Sequence, residues 1–343
     1  TPVTTAGQPV GLMLDKSQGL VLGPDLNPDP SFDSAAAWST TNGGQGTVEV
    51  TGGNGVAVSV GNGATLDRSL SGTMFAGKFY QVSYQIESIS GGGIRFSDRV
   101  RTGVVRNTTG TKTEFFSGSS DRATGGFQFL TAGVSAVISS LTIREVTGNH
   151  ATQATSAARP TYQTGAGLHW LAFDGVDDAM ATGTITPGVD KTQVFVGYNE
   201  LQTTTEARAI AEFGPNSGNG RWLLLRNLSP TIRSLFQSTG TTSQNATSAN
   251  PDLTGIGVLT GLGDISGDTS TVRADGVQLA QNTSDQGTGN YLANTLFIGS
   301  RGGSSSFLKG NIYGLITRFG PNLSAAQIAD TEAYMATRTG VTL

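Results

Sequence analysis

The sequence predicts an all-β fold, with two β-sandwich or jelly-roll domains and one short C-terminal helix. Glycine accounts for 49 of the 343 residues, about twice the usual ~7% share, and it marks frequent turns. Short runs of alternating apolar and polar residues recur between these turns along almost the whole chain. A single stretch, near the C-terminus, carries helix signals. Many short strands separated by turns are typical of sandwiches and jelly rolls.

The first half shows this pattern most clearly around residues 47–60. TVEVT (47–51), a glycine-rich turn and VAVSV (56–60) form a hairpin signal. Strict alternation would place Val56, Val58 and Val60 on one face of their strand. Longer alternating runs at 79–88 and 137–146 predict further strands.

The second half repeats the same pattern. TQVFVGY (192–198) and NIYGLITRFG (311–320) predict strands, and Asp275-Gly276 between two alternating runs predicts a tight hairpin turn. No unit repeats at a period of 20–50 residues, which argues against solenoids and propellers.

The helix signal covers the last twenty residues. Ser324 and Gln327 form a capping box, and Leu323 with Ile328 a hydrophobic staple. Gly340 is suited to end the helix. The apolar stripe between these ends predicts that the helix packs on a sheet.

Charge and cysteine content exclude several functions. The 21 basic and 25 acidic residues give a net charge of −4 without a basic run long enough to suggest nucleic-acid binding. With Cys at 0, disulfide scaffolds and thiolate zinc sites are excluded. No apolar stretch approaches the ~18 residues of a membrane span, and no signal peptide opens the chain. We therefore expect no membrane insertion. The Gly/Thr/Ser-rich, weakly charged and turn-dense composition suits an all-β protein that works outside a cytoplasm.

Two motifs in the second half carry a family resemblance. FDGVDDAM (173–180) and GSRGGSSSFLKGNIYGLI (299–316) resemble a strand–turn and a late strand pair of laminin-G-like, concanavalin-A-like sandwiches. The C-terminal tail LSAAQIADTEAYMATRTGV resembles the short helix that closes many such domains.

A second resemblance divides the chain. TPVTTAGQPVGLMLDKS and GNHATQATSAARPTYQTGAGLHWLAFDGVDD are similar to two halves of one stretch common in bacteriophage tail and virion proteins. Here other sequence separates the halves, so residues 20–147 are predicted to be an inserted domain. Segments 1–19 and 148–343 then form the laminin-G-like sandwich. Strands LVL (20–22) and LTIREV (141–146) should pair antiparallel and bring the ends of the insertion together.

The insertion has its own likeness. NPDPSFDSAAAWSTTNG, FAGKFYQVSYQIES and VISSLTIREV are similar to segments of jelly-roll modules of the carbohydrate-binding and galactose-binding type. Trp38 occupies the tryptophan position of the opening motif, where this residue generally packs inward.

These resemblances imply a non-enzymatic phage virion protein, a tail-tip or tail-fibre component that binds host-surface glycan. Its partners would be other virion proteins and host-surface carbohydrate, and a homo-oligomer is expected, with a trimer as the first expectation. One alternative is a capsid decoration or head-fibre protein acting in assembly. A polysaccharide depolymerase is a further alternative.

Sugar-binding candidates are side chains near turns or in the one local basic stretch. Sugars bind to aromatic faces and planar polar groups. Near turns, and expected to be exposed, are Tyr198, Tyr291 and Arg301, and in the basic stretch the candidates are Arg99 and Arg101. The stretch that contains Arg99 and Arg101 could contact anionic glycans, or it is a solvated strand face. Trp170 and Trp222 lie in alternating strands and are expected in the core.

Three aspartates in one turn form the metal candidate. Asp174, Asp177 and Asp178 could bind calcium, which takes several oxygen ligands. The alternative is a tight turn at Asp174-Gly175 in which Asp177 and Asp178 bond their own backbone.

Catalytic signals are sparse. His150 and His169 are the only histidines, and neither accompanies a nucleophile or metalloprotease motif. A glycosidase would need two carboxylates ~5–9.5 Å apart. The available acids are scattered: Glu206, Glu212, Asp264 and Asp268.

Overall fold

Strands make up most of the computed structural model, which describes residues 3–17, 19, 21–118, 121–201, 206–215, 217–227, 233–249 and 255–343. In chain order the strands are β1 (Leu12–Met13), β2 (Leu22–Asp25), β3 (Trp38–Thr41), β4 (Thr47–Thr51), β5 (Asn54–Val60), β6 (Thr65–Met74), β7 (Phe79–Ser90), β8 (Ile94–Ser97), β9 (Gly110–Ser117), β10 (Arg122–Phe129), β11 (Val134–Val146), β12 (Ala151–Thr152), β13 (Thr161–Gly165), β14 (Leu168–Asp174), β15 (Met180–Ile185), β16 (Lys191–Glu200), β17 (Arg208–Phe213), β18 (Arg221–Asn227), β19 (Arg233–Thr239), β20 (Ser243–Thr247), β21 (Ile256–Asp264), β22 (Thr269–Ala274), β23 (Val277–Asn282), β24 (Asn294–Ile298) and β25 (Lys309–Phe319). The single α-helix in this part of the chain is α1 (Ala325–Thr339), and 3-10 turns occupy Ala35–Ala37 and Ser156–Ala158. The predicted all-β class with a C-terminal helix is confirmed.

The chain divides into two compact units. We call Lys16–Gly148 the inserted unit, and Val3–Asp15 together with Asn149–Leu343 the main unit. Thr1 and Leu20, which open two of the segments predicted from the sequence, lie outside the described residues.

Two facing sheets form the inserted unit. One has the order β3-β6-β10-β8, and the other has the order β4-β5-β11-β7-β9, with β2 also paired to β11. Large side chains such as Leu66, Phe96 and Phe127 fill the space between them and are completely buried. Burial of apolar surface stabilises a fold by about 25 cal/mol per Å². The inserted unit therefore has a stabilising hydrophobic core of its own.

The opening segment of this unit is fixed by Asp29. Its carboxylate accepts hydrogen bonds from the Trp38 indole at 2.9 Å and from the amide of Asp33 at 2.7 Å. Desolvation alone would raise the pKa of Asp29, but these hydrogen bonds outweigh it and lower the pKa. Phe32 stacks on Trp38 with ring centroids 4.4 Å apart. The predicted inward packing of Trp38 is confirmed, because the residue is buried.

The ends of the inserted unit lie side by side. Strand β2 pairs antiparallel with β11, with Leu22 opposite Val146 and Asp25 opposite Arg144. The predicted antiparallel closure is confirmed from Leu22 onward.

The predicted hairpin turns are present. Gly52 and Gly53 join β4 to β5 with φ of 57° and 72°, and Asp275 and Gly276 join β22 to β23 with φ of 44° and 80°. Positive φ at both central residues is the geometry of the type I′ turn, whose twist matches that of the flanking strands.

Strand β5 departs from simple alternation. Val60 is fully buried, whereas Val58 is exposed, so the prediction that they share a face is wrong. The cause is a bulge at Ser59 (φ 46°), where the pairing with β11 shifts register. A bulge adds one residue to one strand and moves the following side chains to the other face.

The main unit is also built from two sheets. Their orders are β1-β12-β15-β24-β17-β18-β19-β20 and β13-β14-β25-β16-β21-β22-β23. Val194, Val196, Phe213, Trp222 and Phe236 are fully buried in the core between them.

Helix α1 packs on the seven-stranded sheet. Its capping box is present, because the Gln327 amide donates to Ser324 Oγ and the Ser324 amide donates to Gln327 Oε1. Gly340 ends the helix with φ 76°, as predicted. Met335 is buried against Phe195, and partly buried Ile328 packs on the same cluster. In the described part of the chain, no helix is long and apolar enough to cross a membrane.

Candidate functional site

The outer face of the four-stranded sheet in the inserted unit is polar. Side chains alternate across a sheet, so the residues flanking Leu66, Phe96 and Phe127 point away from the core. One outward row crosses the sheet as Ser39, Asp67, Gly126 and Ser97. The next contains Thr41, Thr65, Gln128 and Arg95. Hydroxyl, amide and charged groups therefore form the surface of this sheet.

Asp67 lies in a depression on that face. Its neighbours on β3 and β10 are Ser39 and Gly126, which leave room on both sides. A Cβ at Gly126 would lie 2.1 Å from the Leu66 carbonyl oxygen. The close pairing of β10 with β6 at this position therefore requires glycine. The Arg99 guanidinium closes over Asp67 with a nitrogen–oxygen distance of 2.6 Å. Asp67 is only 2% exposed, whereas the side chain of Arg99 is 48% exposed.

The turn after β8 fixes the position of Arg99. Asp98 is fully buried, and its Oδ1 accepts hydrogen bonds from the amides of Val100 and Arg101. Ser97 Oγ accepts a hydrogen bond from the Arg99 amide at 3.0 Å. These bonds hold Arg99 at φ 72°, a left-handed conformation that is uncommon for a residue with a Cβ. Backbone strain of this kind is often found at functional sites.

An open cavity of about 560 Å³ adjoins the Asp67–Arg99 pair. Its lining residues are Ala36, Ala37, Trp38, Ser39, Asp67, Arg68, Ser69, Arg99 and Thr124. Arg68 donates from Nη1 to the Ala37 carbonyl, and its buried Nε has no hydrogen-bond partner in the described part of the chain. Ligand sites are commonly ~300–1,000 Å³ in volume, and this cavity lies within that range.

Burial dominates the electrostatics of Asp67. Desolvation raises the pKa of its carboxyl group, although hydrogen bonds from Thr65 and Arg99 oppose this rise. The Arg99 guanidinium therefore both neutralises and covers the carboxylate. We call this cavity, with Asp67, Arg68 and Arg99, the Asp67 site.

Of the two arginines predicted in the basic stretch, only Arg99 lines this cavity. Arg101 lies two residues away, and its Nη1 donates to Ser117 Oγ at 3.0 Å. Arg95 donates to Gln128 Oε1 from two nitrogens. The basic stretch is therefore neither a uniform solvated face nor one binding patch.

The expected exposure of Tyr198 and Tyr291 is wrong. Both rings are buried, at 1% and 0% exposure. Tyr198 Oη accepts a hydrogen bond from Arg226 at 2.7 Å, and Tyr291 Oη lies 2.7 Å from Ser238 Oγ. Each phenol thus fills the core while its hydroxyl is hydrogen-bonded, and neither ring offers a stacking face to a sugar.

Arg301 lies beside a buried carboxylate in the main unit. Its Nε is 3.6 Å from Glu212 Oε1, and Arg221 Nη1 is 3.7 Å from the same oxygen. Desolvation raises the pKa of Glu212. The Gly302 amide donates to Glu212 Oε2 at 2.6 Å, so Glu212 anchors the loop that carries Arg301.

The aspartate turn brings its three carboxylates together. Asp174, Asp177 and Asp178 each have an oxygen within 4.8 Å of the others. Asp174 Oδ1 accepts hydrogen bonds from the amides of Val176 and Asp177, and Asp178 Oδ2 accepts one from the Asp174 amide. The turn therefore bonds its own backbone through Asp178, as predicted, and through Asp174 where Asp177 was predicted. Calcium takes about six to eight oxygens, so these carboxylates could supply only part of its ligands.

Stability should depend on pH through Asp178. Burial, together with the charges of Asp174 and Asp177, raises its pKa from 3.8 to about 6. The folded state then holds the proton more tightly, so stability should fall as pH rises from 3.8 to about 6. We expect Asp178→Asn to remove the part of this slope that comes from Asp178 and to raise the free energy of unfolding at pH 7.5 by about 1–3 kcal/mol. Urea melts from pH 3.5 to 7.5 with a chelator present measure both effects.

The same variant tests calcium. If the turn binds the ion, calcium at pH 7.5 stabilises the wild type and leaves Asp178→Asn unchanged. Equal responses of the two proteins would contradict calcium binding here. The same pH dependence of stability in the wild type and in Asp178→Asn would contradict the raised pKa.

The remaining candidates have structural contacts. His150 is buried, and its Nδ1 accepts a hydrogen bond from the Asp15 amide. His169 is exposed, with Nδ1 2.7 Å from Tyr162 Oη. Trp222 is fully buried, but Trp170 is only partly buried, short of the predicted core position.

The four scattered carboxylates have separate partners. Glu206 pairs with Arg208, and Glu212 bonds the Gly302 amide. Asp264 accepts hydrogen bonds from Lys191 and Asn322, and Asp268 accepts one from the Gln286 amide. Each of the four carboxylates therefore has a hydrogen-bond or ion-pair partner of its own.

No family model and no curated protein matches this chain. The comparison with solved structures finds neighbours of low similarity. Mouse laminin alpha1 domains LG4-5 have 12% identity and a TM-score of 0.35, with 73% of this chain and 85% of that chain covered. The Ruminococcus gnavus IT-sialidase CBM40 has 11% identity and a TM-score of 0.34, with 44% and 97% covered. The Streptococcus pneumoniae NanB sialidase has 11% identity and a TM-score of 0.35, and the match spans 46% of this chain and 27% of that one. Likenesses at this level assign no function.

Proposed function

We propose that this chain is a non-enzymatic bacteriophage virion protein of the tail tip or tail fibre, acting as a homo-oligomer. Its proposed task is to bind host-surface glycan through the inserted unit. The virion assignment is supported by the resemblance of residues 1–17 and 148–178 to one split phage stretch. The glycan assignment is supported chiefly by the Asp67 site, an open polar cavity on a regular sheet.

The chemistry of the Asp67 site suits a saccharide. Sugars present many hydroxyl groups, which need both donors and acceptors at fixed positions. The hydroxyls of Ser39, Ser69 and Thr124 offer both, and the guanidiniums of Arg68 and Arg99 offer donors. Because these side chains project from strands and a fixed turn, binding costs little conformational ordering.

The proposal is tested by filling the cavity without changing its charges. Ser69 lines the cavity and is exposed, so Ser69→Trp should block it while the sheet stays intact. Thr113 is an exposed β9 residue on the other sheet, and Thr113→Trp is the matched control. On an array of bacterial surface glycans, we expect Ser69→Trp to lose at least tenfold in affinity for the glycans that the wild type retains. Thr113→Trp should bind as the wild type does.

Two results would overturn this proposal. Equal retention by wild type and Ser69→Trp would place any glycan binding elsewhere and favour a role in particle assembly. New reducing ends, released from a retained polysaccharide by the wild type, would show a depolymerase instead.

A further inference from the structure

We infer that the Asp67 site selects acidic glycans, those that carry a carboxylate or sulfate group. This inference rests on the proposed function and adds the chemical class of the ligand. It follows from the sign of the charge that the site presents to solvent.

The polar face carries more positive than negative charge. Arg99 and Arg68 line the cavity, and Arg95 lies on the same outward face of β8. Among the described residues that line the cavity, Asp67 is the single carboxylate. Arg68 also interacts with the charge of Asp29, so the positive charge that a ligand would meet comes chiefly from the exposed guanidinium of Arg99.

The difference in exposure between Asp67 and Arg99 adds to this excess of positive charge. The Asp67 carboxylate is almost fully covered, whereas about half of the Arg99 side chain faces solvent. An incoming ligand therefore meets the guanidinium first and the carboxylate hardly at all. A guanidinium has five N–H donors in a planar fork, and Nη2 of Arg99 is bonded to Asp67. The remaining donors suit the two oxygens of a carboxylate or sulfate group.

Asp67 is in this view a positioning residue. It holds Arg99 from one side, while the turn at Asp98 holds the backbone of Arg99 from the other. This arrangement fixes the donors before the ligand arrives. The chain has a net charge of −4, so selection for acidic ligands must come from this local excess.

The test uses the glycans that the wild type retains and Ser69→Trp does not. The array should include polygalacturonate and dextran sulfate, with dextran and carboxyl-reduced polygalacturonate as neutral counterparts. We expect the retained set to carry acidic groups, and carboxyl reduction or desulfation of a retained glycan to lower affinity at least tenfold. Affinity should also fall steeply with added salt, because the contact is between charges.

Variants of Arg99 separate its role from general charge. We expect Arg99→Gln to lower affinity for the acidic glycan at least tenfold, and Arg99→Lys to have an intermediate effect because lysine lacks the planar fork. Arg101→Gln removes the same charge from the same loop but outside the cavity, and it should bind as the wild type does. Should Arg99→Gln unfold, the double variant Asp67→Asn with Arg99→Gln avoids an unpaired buried carboxylate and gives the same comparison.

The outcomes distinguish this inference from the proposed function. A retained set of neutral glycans that is sensitive to Ser69→Trp would overturn the acidic selection and leave glycan binding standing. Equal losses for Arg99→Gln and Arg101→Gln would also overturn it. If the wild type retains no glycan that Ser69→Trp loses, both the acidic selection and the proposed glycan binding at this site are overturned.

Discussion

Replacing Arg273 with alanine should lower the free energy of unfolding by about 3–5 kcal/mol. Arg273 lies on β22 and donates from Nε and Nη2 to the two carboxylate oxygens of Glu332, at 2.8 and 3.0 Å. Glu332 is on α1 and is 1% exposed. Loss of the guanidinium would leave a charge buried without its partner, which costs far more than an exposed ion pair gives. Denaturant melts at pH 7.5 measure the change.

Two further variants show whether the buried charge is the cause. Glu332→Gln combined with Arg273→Ala should recover part of the loss, because no unpaired charge remains. Arg273→Lys should give an intermediate loss, since lysine forms a point contact instead of a two-point one. A loss below about 1 kcal/mol for Arg273→Ala would mean that the pair behaves as a solvated surface contact.

Removing the inserted unit should abolish glycan binding and leave the main unit folded. The change replaces residues 20–147 with a short Gly-Ser bridge from Gly19 to Gly148. Leu22 and Val146 are paired neighbours, so a short bridge can span the gap without strain. The inserted unit has its own buried core, so we expect residues 20–147 alone to fold and to retain the glycans of the whole chain.

Circular dichroism melts of the two proteins, with the glycan array, provide the measurement. A cooperative transition for each part is expected. Aggregation or a broad, non-cooperative melt of the shortened main unit would show that the division between the units is not a folding boundary.

Local signals in the sequence predicted the regular parts of the fold. Ser324, Gln327 and Gly340 identify the ends of α1 because capping depends on residues a few positions apart. Asp275-Gly276 fixes a turn for the same reason. The bulge at Ser59 carries no such signal, since it follows from the register between β5 and β11, which are far apart in sequence.

The Asp67 site was beyond prediction for a related reason. Asp67, Arg99 and Gly126 meet because β6, β10 and the turn after β8 are neighbours in a sheet. Sequence spacing does not show that neighbourhood. The burial of Tyr198 did have a signal, because it continues the inward alternation of Val194 and Val196 along β16.

The pairing of β2 with β11 has a mechanical consequence. Both covalent connections of the inserted unit leave from one antiparallel strand pair, close to Leu22 and Val146. A force on a ligand bound at the Asp67 site would therefore be transmitted through both connecting segments of the chain at once. Such a load draws both strands in the same direction and does not peel one from the other, as opposed forces on the two ends would. A load on the inserted unit would thus be held by a double attachment that resists unzipping.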